Sequence, residues 1–471
     1  MSEKKYDLVV IGSGPAGEKA AVKAAYFGYQ VALIEKEKLF GGAGVNTGTI
    51  PSKTLKETSL YYSGKYTKGL FGDDYSAQLD NSVQKFLYRE QVVCEAVEHE
   101  VKTNLKHHNV SIFSGLASFE DEHHIRIMGV KEEVIQSDHI IIATGSYPFH
   151  PPGIPFDFLR VHDSNSILTI KRFPKSICIV GAGVIGCEYA TIFANLGIHV
   201  SLINKQSNIL GFLDDEISAN LIEQMEKSGV DIIVESEVAQ VQIPELDDQM
   251  IDVSLSTGET LHVDMFLYAA GRCGSTGSLK CDKAGVALGA RETISVNEKY
   301  QTSVPHIYAI GDVIGFPALA STSMDQGRVA VAHIFNTKDL DSVHKTIPYG
   351  IYTIPEVSMV GLSEQDAGKK GIDYCVGRAH HSKMVRGRIM GLEEGMIKII
   401  FERANKKIIG VHIVGHLASE LIHFGLTLVE SEKTLLEVIA IVFNFPTLHD
   451  LYKYACYDGL GNLSGHKIKT D

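Results

Sequence analysis

The chain has 471 residues, which is too long for one ordinary hydrophobic core, and we therefore expect two to four domains. Its 44% hydrophobic and 21% charged residues are typical of a globular protein. A net charge of −13 without any basic block argues against nucleic acid or an anionic membrane surface as a partner.

Residues 5–36 predict a strand, a glycine-rich turn, a helix and a second strand. The segment reads KYDLVVIGSGPAGEKAAVKAAYFGYQVALIEK. In its G-x-G-x-x-G turn, the first glycine permits a tight turn, the second lets the backbone approach a pyrophosphate, and the third lets helix and strand pack closely. The free N–H groups and the dipole at the start of the helix favour a phosphate there. The three glycines are Gly12, Gly14 and Gly17.

Residues 176–205 repeat this design in the same register. They read SICIVGAGVIGCEYATIFANLGIHVSLINK, and the corresponding glycines are Gly181, Gly183 and Gly186. One such turn is weak evidence, because glycine-rich turns are common. Two matching copies, each with its strands and helix, are specific and predict two Rossmann-like dinucleotide-binding units.

The residue that ends the second strand of each copy bears on which dinucleotide binds. Glu35 ends that strand in the first copy, where a carboxylate accepts hydrogen bonds from both hydroxyls of a ribose, as FAD or NAD requires. The second copy has Asn204 and Lys205 instead, which removes repulsion of a 2′-phosphate and offers a cation. Gly186 nevertheless completes the form usual for NAD. We interpret these mixed signals as tolerance of both NAD and NADP, with a solvated surface role for Lys205 as an equal alternative.

Four further segments accompany the two glycine turns. They are GGAGVNTGTIPSK (Gly41–Lys53), IATGSYP (Ile142–Pro148), YAAGRCG (Tyr268–Gly274) and YAIGDV (Tyr308–Val313). In this order they resemble the motifs of the flavoproteins with two dinucleotide-binding domains, which include dihydrolipoamide dehydrogenase, glutathione reductase and mercuric reductase. The resemblance covers essentially the whole chain.

This resemblance implies an α/β protein with two Rossmann-like domains, one for FAD and one for NAD(P), plus a C-terminal mixed α/β dimerisation domain. The implied FAD-binding domain comprises residues 1–150 and 276–345, and the NAD(P)-binding domain residues 151–275. Residues 346–471 would form the dimerisation domain, ending in a loose polar tail at 464–471. The implied cofactor is FAD, with NAD and NADP as substrates, in a homodimer or higher homo-oligomer.

The resemblance also implies functional positions. Lys53 would lie near the flavin and pair with Glu188 as the catalytic pair, although an ordinary interdomain salt bridge is the alternative interpretation. Asp312 would accept hydrogen bonds from flavin hydroxyls, and a helix beginning near Ala318 would direct its dipole at the flavin. The implied cofactor-binding residues are Gly12, Gly14, Gly17, Glu35, Gly42, Thr144, Gly145, Asp312 and Ala320 for FAD, and Gly181, Gly183, Gly186, Asn204, Lys205 and Gly271 for NAD(P).

The chain departs from the disulfide reductases of this family at their reactive positions. Those enzymes have two cysteines where this chain has Gly44 and Thr49, and a histidine and a glutamate where it has Phe445 and Asp450. Thiol–disulfide exchange needs a thiolate, so we expect none here. Segments such as GTIPSK, VGAGVIGCEYA and IYTIPE are instead similar to those of soluble pyridine nucleotide transhydrogenases.

That similarity implies an NAD(P) transhydrogenase in which hydride passes from NADPH to NAD through FAD in a ping-pong sequence. One alternative is a diaphorase, a quinone reductase or an oxidase of the same family. A second, from a different class, is an inactive flavoprotein that serves as a binding subunit.

Cysteine and histidine spacing bears on metals and on the compartment. The seven cysteines are odd in number and lack CxxC spacing, so we expect neither a disulfide framework nor a zinc site. Paired histidines at 107–108, 123–124 and 380–381 lack typical ligand spacing and are expected at the surface, so no metal site is predicted. The N-terminus enters a strand almost at once and the apolar runs are short, which predicts a cytoplasmic protein without a signal peptide or membrane span.

Overall fold

The computed structural model describes residues 4–64, 82–246, 249–338 and 342–465. Most of the expected polar tail, residues 466–471, therefore lies outside the described residues. The strands within these ranges are β1 (Lys4–Ile11), β2 (Val31–Glu35), β3 (Ser111–Ser114), β4 (Leu116–Phe119), β5 (His124–Met128), β6 (Glu132–Ile142), β7 (Ser146–Pro148), β8 (Val161–Asp163), β9 (Ser176–Val180), β10 (His199–Ile203), β11 (Val230–Ile233), β12 (Val238–Gln242), β13 (Ile251–Leu255), β14 (Thr260–Val263), β15 (Met265–Tyr268), β16 (Arg272–Gly274), β17 (Ile307–Ala309), β18 (Tyr349–Ile351), β19 (Val357–Gly361), β20 (Tyr374–His380), β21 (Met396–Glu402) and β22 (Ile408–Val414).

Helices alternate with these strands through most of the described chain. They are α1 (Pro15–Tyr26), α2 (Gly42–Asn46), α3 (Thr49–Tyr62), α4 (Val83–His107), α5 (Val184–Asn195), α6 (Asp215–Lys227), α7 (Ala320–Phe335), α8 (Glu364–Lys369), α9 (Val385–Ile389), α10 (Ala418–Glu430), α11 (Leu435–Ala440) and α12 (Asp450–Ser464). Among the described residues, no helix is both long and apolar enough to cross a bilayer.

The first sheet has the order β3-β2-β1-β6-β5-β4, and β17 also pairs with β6. Strands β3, β2, β1, β6 and β17 are parallel, whereas β5 and β4 add antiparallel pairs. Leu8, Val9 and Val10 are fully buried, because both faces of the sheet are covered and leave no polar side for alternation. Helices α1, α4 and α7 cover the face of Leu8 and Val10, and strands β4 and β5 cover the face of Val9. Helix α1 packs so closely on α7 that a Cβ on Gly327 would lie 2.6 Å from the carbonyl oxygen of Ala16.

The second sheet, β11-β10-β9-β15-β8, is wholly parallel and repeats the first turn. The Gly12 N–H donates to the Ile34 carbonyl at 2.8 Å, and the Gly181 N–H donates to the Ile203 carbonyl at the same distance. The sequence repeat is therefore a repeat of backbone geometry. In both units the turn follows the carboxyl end of a parallel strand, where open α/β sheets bind ligands.

The C-terminal sheet, β18-β19-β22-β21-β20, is antiparallel. Helix α10 packs on β22 and β19, and α12 packs on β20 and β21. Gly377 permits the second contact, because a Cβ there would lie 2.8 Å from the Gly459 nitrogen. This sheet brings the segment between β18 and β19 against helix α3.

Candidate active site

The first glycine turn leaves no room for side chains. Gly12 has a φ of +108°, and a Cβ there would fall onto the Ala143 carbonyl. A Cβ on Gly17 would fall onto the Gly12 carbonyl, so helix α1 contacts strand β1 directly. These contacts give the first and third glycines of the motif the steric roles that their spacing predicts.

Gly14 and Gly42 face each other across the mouth of this turn. Gly42 has a φ of +55°, and a Cβ on it would lie 2.9 Å from the Gly14 Cα. The chain therefore presents bare backbone from two segments at the start of α1. A pyrophosphate can approach such a surface closely, and the dipole of α1 favours its charge.

Glu35 is held beside this turn by backbone and hydroxyl donors. Its Oε2 accepts hydrogen bonds from the Ser13 N–H at 2.8 Å and the Ser13 hydroxyl at 2.6 Å, and its Oε1 accepts one from the Glu37 N–H at 2.9 Å. The carboxylate is buried, yet each oxygen keeps acceptor capacity. Its position at the end of β2 fits the hydroxyls of a dinucleotide ribose.

Asp312 lies in a short 3₁₀-helix, Gly311–Ile314, after strand β17. The Ser146 hydroxyl donates to its Oδ2 at 2.9 Å, and Arg272 Nε donates to that hydroxyl at 2.8 Å. Burial holds the pKa of Arg272 below its ordinary value, although the charge of Asp312 opposes this shift. The aspartate is thus fixed from one side, with its other oxygen available.

Thr144 and Gly145 lie between β6 and Ser146. The Thr144 hydroxyl is buried and has no hydrogen-bond partner in the described part of the chain, which is the condition of a group that a bound ligand would satisfy. Gly145 has a φ of +67°. Helix α7 begins at Ala320, two residues beyond the predicted start, because Ala318 has a left-handed φ of +45°. Bare glycines, a fixed carboxylate and an orphaned hydroxyl together fit a dinucleotide such as FAD.

The second glycine turn has the same steric character. Gly181 has a φ of +100°, and a Cβ on it would lie 2.8 Å from the Ala270 Cα, while a Cβ on Gly186 would fall onto the Gly181 carbonyl. Gly183 has open space beside it. Gly271 has a φ of +121° near this turn. The second unit therefore also presents an open backbone at the start of its helix, α5.

The side-chain amide of Asn204 forms hydrogen bonds with nearby backbone groups. Its Oδ1 accepts from the Ala182 N–H at 3.3 Å, and its Nδ2 donates to the carbonyls of Gln206 and Asn208 at 3.0 and 2.9 Å. Lys205 is exposed and forms an ion pair with Glu237. Sequence spacing did not indicate either set of partners, because both depend on how the loops around β10 fold.

Lys53 and Glu188 are paired at the junction of helices α3 and α5. Lys53 Nζ lies 2.8 Å from Glu188 Oε1 and 2.7 Å from Oε2. The Ser52 hydroxyl donates to Oε2 at 3.1 Å, and the Tyr352 N–H donates to Oε1 at 3.0 Å. Three donor groups thus make four hydrogen bonds to a buried carboxylate, which makes its burial tolerable. Tyr352 lies in the IYTIPE segment, for which the sequence indicated a family resemblance but no role.

The positions at which disulfide reductases have thiols are occupied by other groups. A Cβ on Gly44 would lie 2.8 Å from Pro15 Cγ, so this position closely faces the first turn. All seven cysteines lie within the described residues and are free. Phe445 is largely exposed, and His449 precedes α12, where its ring packs near Phe424 and Phe443.

One cluster of acidic side chains and one buried histidine bear on metal binding. Asp214, Glu216 and Glu364 lie close enough to share a cation, but the ammonium of Lys398 forms ion pairs with all three. The expectation of a surface position was wrong for His381, which is fully buried. Glycines at 395 and 415 make room for its ring, since a Cβ on either would lie 2.7 Å from a ring atom.

Family comparisons agree with this geometry. The sequence model of the pyridine nucleotide-disulphide oxidoreductases matches residues 6–327, and that of their dimerisation domain matches residues 347–456. The fold and the two dinucleotide sites are those of an FAD-dependent oxidoreductase. The chain belongs to the pyridine nucleotide-disulphide oxidoreductase family, with FAD as its cofactor and NAD(P) as its substrate, and its predicted fold class is confirmed.

Curated relatives identify a narrower group. A protein of Mycobacterium bovis named soluble pyridine nucleotide transhydrogenase is 39% identical over 463 residues, covering 98% of each chain. Proteins of the same name from Sodalis glossinidius and Photorhabdus laumondii are each 38% identical, covering 97% and 98% of this chain. The resemblance to this group that the sequence segments indicated is confirmed.

Solved structures share the fold over almost the whole chain. The Escherichia coli HOCl-induced flavoprotein disulfide reductase RclA, in its Cu(II) complex, superposes with a TM-score of 0.87 at 27% identity, covering 96% of this chain and 99% of its own. LpdA from Mycobacterium tuberculosis superposes with the same TM-score at 23% identity and supports the fold alone.

Proposed function

We propose that this protein is an NAD(P) transhydrogenase that works in two half-reactions and without a redox-active disulfide. NADPH reduces the enzyme, NADP leaves, and NAD then takes the reducing equivalents at the same site. The observation that carries the proposal is the replacement of the reactive thiols and base by Gly44, Thr49 and Phe445 in an otherwise intact two-dinucleotide framework. Relatives of the same name at 38–39% identity support it.

The first unit would hold FAD. Glu35 would accept from the ribose hydroxyls, the facing backbones of Gly14 and Gly42 would admit the pyrophosphate, and Asp312 would accept from hydroxyls nearer the flavin. The Thr144 hydroxyl would gain the partner it lacks within the described chain. FAD, when bound, supplies a centre that accepts hydride from one nicotinamide and gives it to another. The N-terminus of α7 would add its positive dipole end near the flavin.

Lys53 would place a fixed positive charge beside the flavin. Its side chain is 26% exposed, whereas Glu188 is 3% exposed, so the ammonium is held from the buried side and open on the other. A charge that does not need to reorient is more effective than a mobile one, since no reorganisation accompanies the reaction. Glu188 would act by holding the lysine in position.

The second unit would bind NADP(H) and NAD(H) in turn at the Gly181–Gly186 turn. Asn204 places no carboxylate next to the 2′ position, and Lys205 can exchange its exposed partner Glu237 for a 2′-phosphate. Exposed ion pairs contribute little free energy because solvent screens them, so this exchange would meet little resistance. We therefore retain the interpretation that the site accepts both nucleotides.

The enzyme would act as a cytoplasmic homodimer. The match of residues 347–456 to a dimerisation domain supports the dimer. Exposed apolar side chains of the C-terminal region, which include Val442, Phe445 and Tyr454, would be covered in it. We expect the segment that contains Phe445 to reach the partner's flavin.

Anaerobic mixing tests the function directly. NADPH should bleach the flavin absorbance of the purified protein, and NAD added after removal of NADP should restore it. Recovery only with oxygen or a quinone would favour the diaphorase, quinone reductase or oxidase alternative. Absence of bleaching with either nucleotide would favour an inactive binding subunit.

A further inference from the structure

We infer that Tyr352, in the segment between β18 and β19 of the C-terminal region, is a positioning residue for Lys53. The inference deepens the proposed function, because it rests on the role given there to the Lys53 charge. It assigns to a third part of the chain a contribution to a site otherwise built from helices α3 and α5.

The backbone of Tyr352 completes the hydrogen bonding of Glu188. Each carboxylate oxygen has two donors: Oε1 accepts from Lys53 and from the Tyr352 N–H, and Oε2 accepts from Lys53 and from Ser52. Because the two outer donors lie on different segments, they fix the plane of the carboxylate. The lysine, bound to both oxygens, therefore has one favoured position.

The ring of Tyr352 covers the ammonium on another side. Lys53 Nζ lies 4.9 Å from the ring centroid, within the range of a cation–π interaction. This contact needs the aromatic face and does not need the hydroxyl. It adds a restraint to a flexible side chain whose ammonium also binds Glu188 and the Ser52 hydroxyl, and it leaves one side of the ammonium exposed.

Glu356, four residues further on, anchors the segment. Its Oε1 lies 2.5 Å from Lys56 Nζ, and its Oε2 accepts from the Ser419 N–H at 3.0 Å, near the start of α10. Burial alone would lower the pKa of Lys56, but the charge and hydrogen bond of Glu356 outweigh it and raise that pKa. Both charges of the pair are buried, so the position of the segment is well determined.

Lys53 and Lys56 are one helical turn apart on α3, and each meets a carboxylate from another part of the chain. Tyr352 and Glu356 bind these two successive turns of α3 from the C-terminal sheet. The arrangement holds the flavin-facing end of α3 against the second Rossmann unit through Glu188.

The test uses the FAD-loaded protein and two substitutions at one position. Tyr352→Met removes the ring and keeps the backbone N–H, whereas the control Tyr352→Phe removes only the hydroxyl. Both are made in the wild-type background and with Lys53→Met. The measurements are the flavin midpoint potential, the rate of flavin reduction by NADPH, and the FAD content with the thermal unfolding temperature.

We expect Tyr352→Met to slow flavin reduction roughly 2- to 10-fold and to shift the potential to more negative values, with FAD content unchanged. Tyr352→Phe should match wild type, and Tyr352→Met should have no further effect in the Lys53→Met background. If Tyr352→Met does not fold, Tyr352→Trp takes its place, and it should retain the wild-type potential because it keeps an aromatic face.

Three results would overturn the inference. Tyr352→Met and Tyr352→Phe could give the same potential and reduction rate, or Tyr352→Met could slow reduction as much in the Lys53→Met background as in the wild type. Alternatively, Tyr352→Trp could shift the potential as far as Lys53→Met does. The proposed role of Lys53 is tested separately, by the potential and the reduction rate of the Lys53→Met variant alone. The transhydrogenase function is read from the recovery of wild-type flavin absorbance with NAD.

Discussion

Lys398 Nζ lies 2.6 Å from Asp214 Oδ1, and the two side chains are only 1% and 0% exposed. Lys398 is on β21 of the C-terminal sheet, and Asp214 caps helix α6 of the second Rossmann unit by accepting from the Glu216 N–H. Burial raises the pKa of Asp214, but the hydrogen bond from Lys398 outweighs it and holds that pKa below its ordinary value. A buried ion pair thus joins two parts of the chain.

We predict that Lys398→Met lowers the free energy of unfolding by about 3–5 kcal/mol, because it leaves the buried carboxylate of Asp214 without a cationic partner. The matched control is Lys407→Met at the exposed pair with Glu432, where solvent screens both charges and the loss should be much smaller. Urea unfolding of the FAD-loaded proteins measures both. The penalty should shrink in acid, since Asp214 protonates readily once the lysine is gone. Equal losses in the two variants would contradict the prediction.

Gly42→Ala should greatly weaken FAD binding. A Cβ on Gly42 would lie 2.9 Å from the Gly14 backbone, which cannot yield without closing the proposed pyrophosphate site. Gly64→Ala is the control, because Gly64 has a similar φ of +64° and none of the described residues lies within 4 Å of its Cβ position. Both variants carry about 1–2 kcal/mol of backbone strain, so only the contact differs. Flavin content and FAD titration of the apoprotein decide between them, and an equal loss of FAD would point to strain alone.

Lys53→Met should leave FAD bound and slow flavin reduction. Loss of a charged contact in a partly dry site is worth about 1–3 kcal/mol, or roughly 5- to 150-fold in rate. Glu188→Gln should cause a smaller defect of the same kind, because it only releases the lysine. Stopped-flow reduction of the single and double variants should give non-additive losses, since both remove one interaction. Additive losses would mean that the two residues act independently.

Asn204→Glu should shift nucleotide preference toward NAD. The new carboxylate would repel a 2′-phosphate by about 1 kcal/mol at this exposed position, or about fivefold in affinity. Lys205→Met should weaken binding of 2′,5′-ADP and leave 5′-ADP unaffected, and Glu237→Gln should have the opposite effect by freeing Lys205. Calorimetric titration with the two ligands provides the measurement. Unchanged NADPH affinity in Asn204→Glu would remove this position from the nucleotide site.

Lipoamide should not be reduced at rates normal for disulfide reductases. Burial raises the pKa of Cys94, Cys178 and Cys456 to about 12, so these groups remain protonated thiols at neutral pH. A thiol reagent should therefore modify the half-buried Cys375 before Cys94, Cys178, Cys281 and Cys456 in the folded protein near neutral pH, and these four thiols should react only as the pH rises toward 11–12. Lipoamide turnover that survives replacement of Cys94 and Cys187 would refute the argument.

Local chemistry explains what could be predicted from sequence. Gly12 and Gly181 need a positive φ, and Gly17 and Gly186 need the absence of a Cβ, within a few residues of their strands. Such requirements produce a spacing of glycines that is visible in the sequence. The position of Glu35 at the end of a predicted strand is visible in the same way. The two Rossmann-like units followed from this pattern, the family resemblance implied FAD and NAD(P) as their ligands, and the family comparisons confirm the fold and the cofactor.

Other hydrogen bonds and ion pairs join residues that are distant in the chain, and only tertiary packing determines them. The donor from Tyr352 to Glu188 spans 164 residues, and the pair Lys56–Glu356 spans 300. The ion pair of Lys205 and the burial of His381 likewise depend on neighbouring loops and glycines from other segments. No local spacing encodes such contacts, because they form only when separate sheets dock and exclude water from the charges between them.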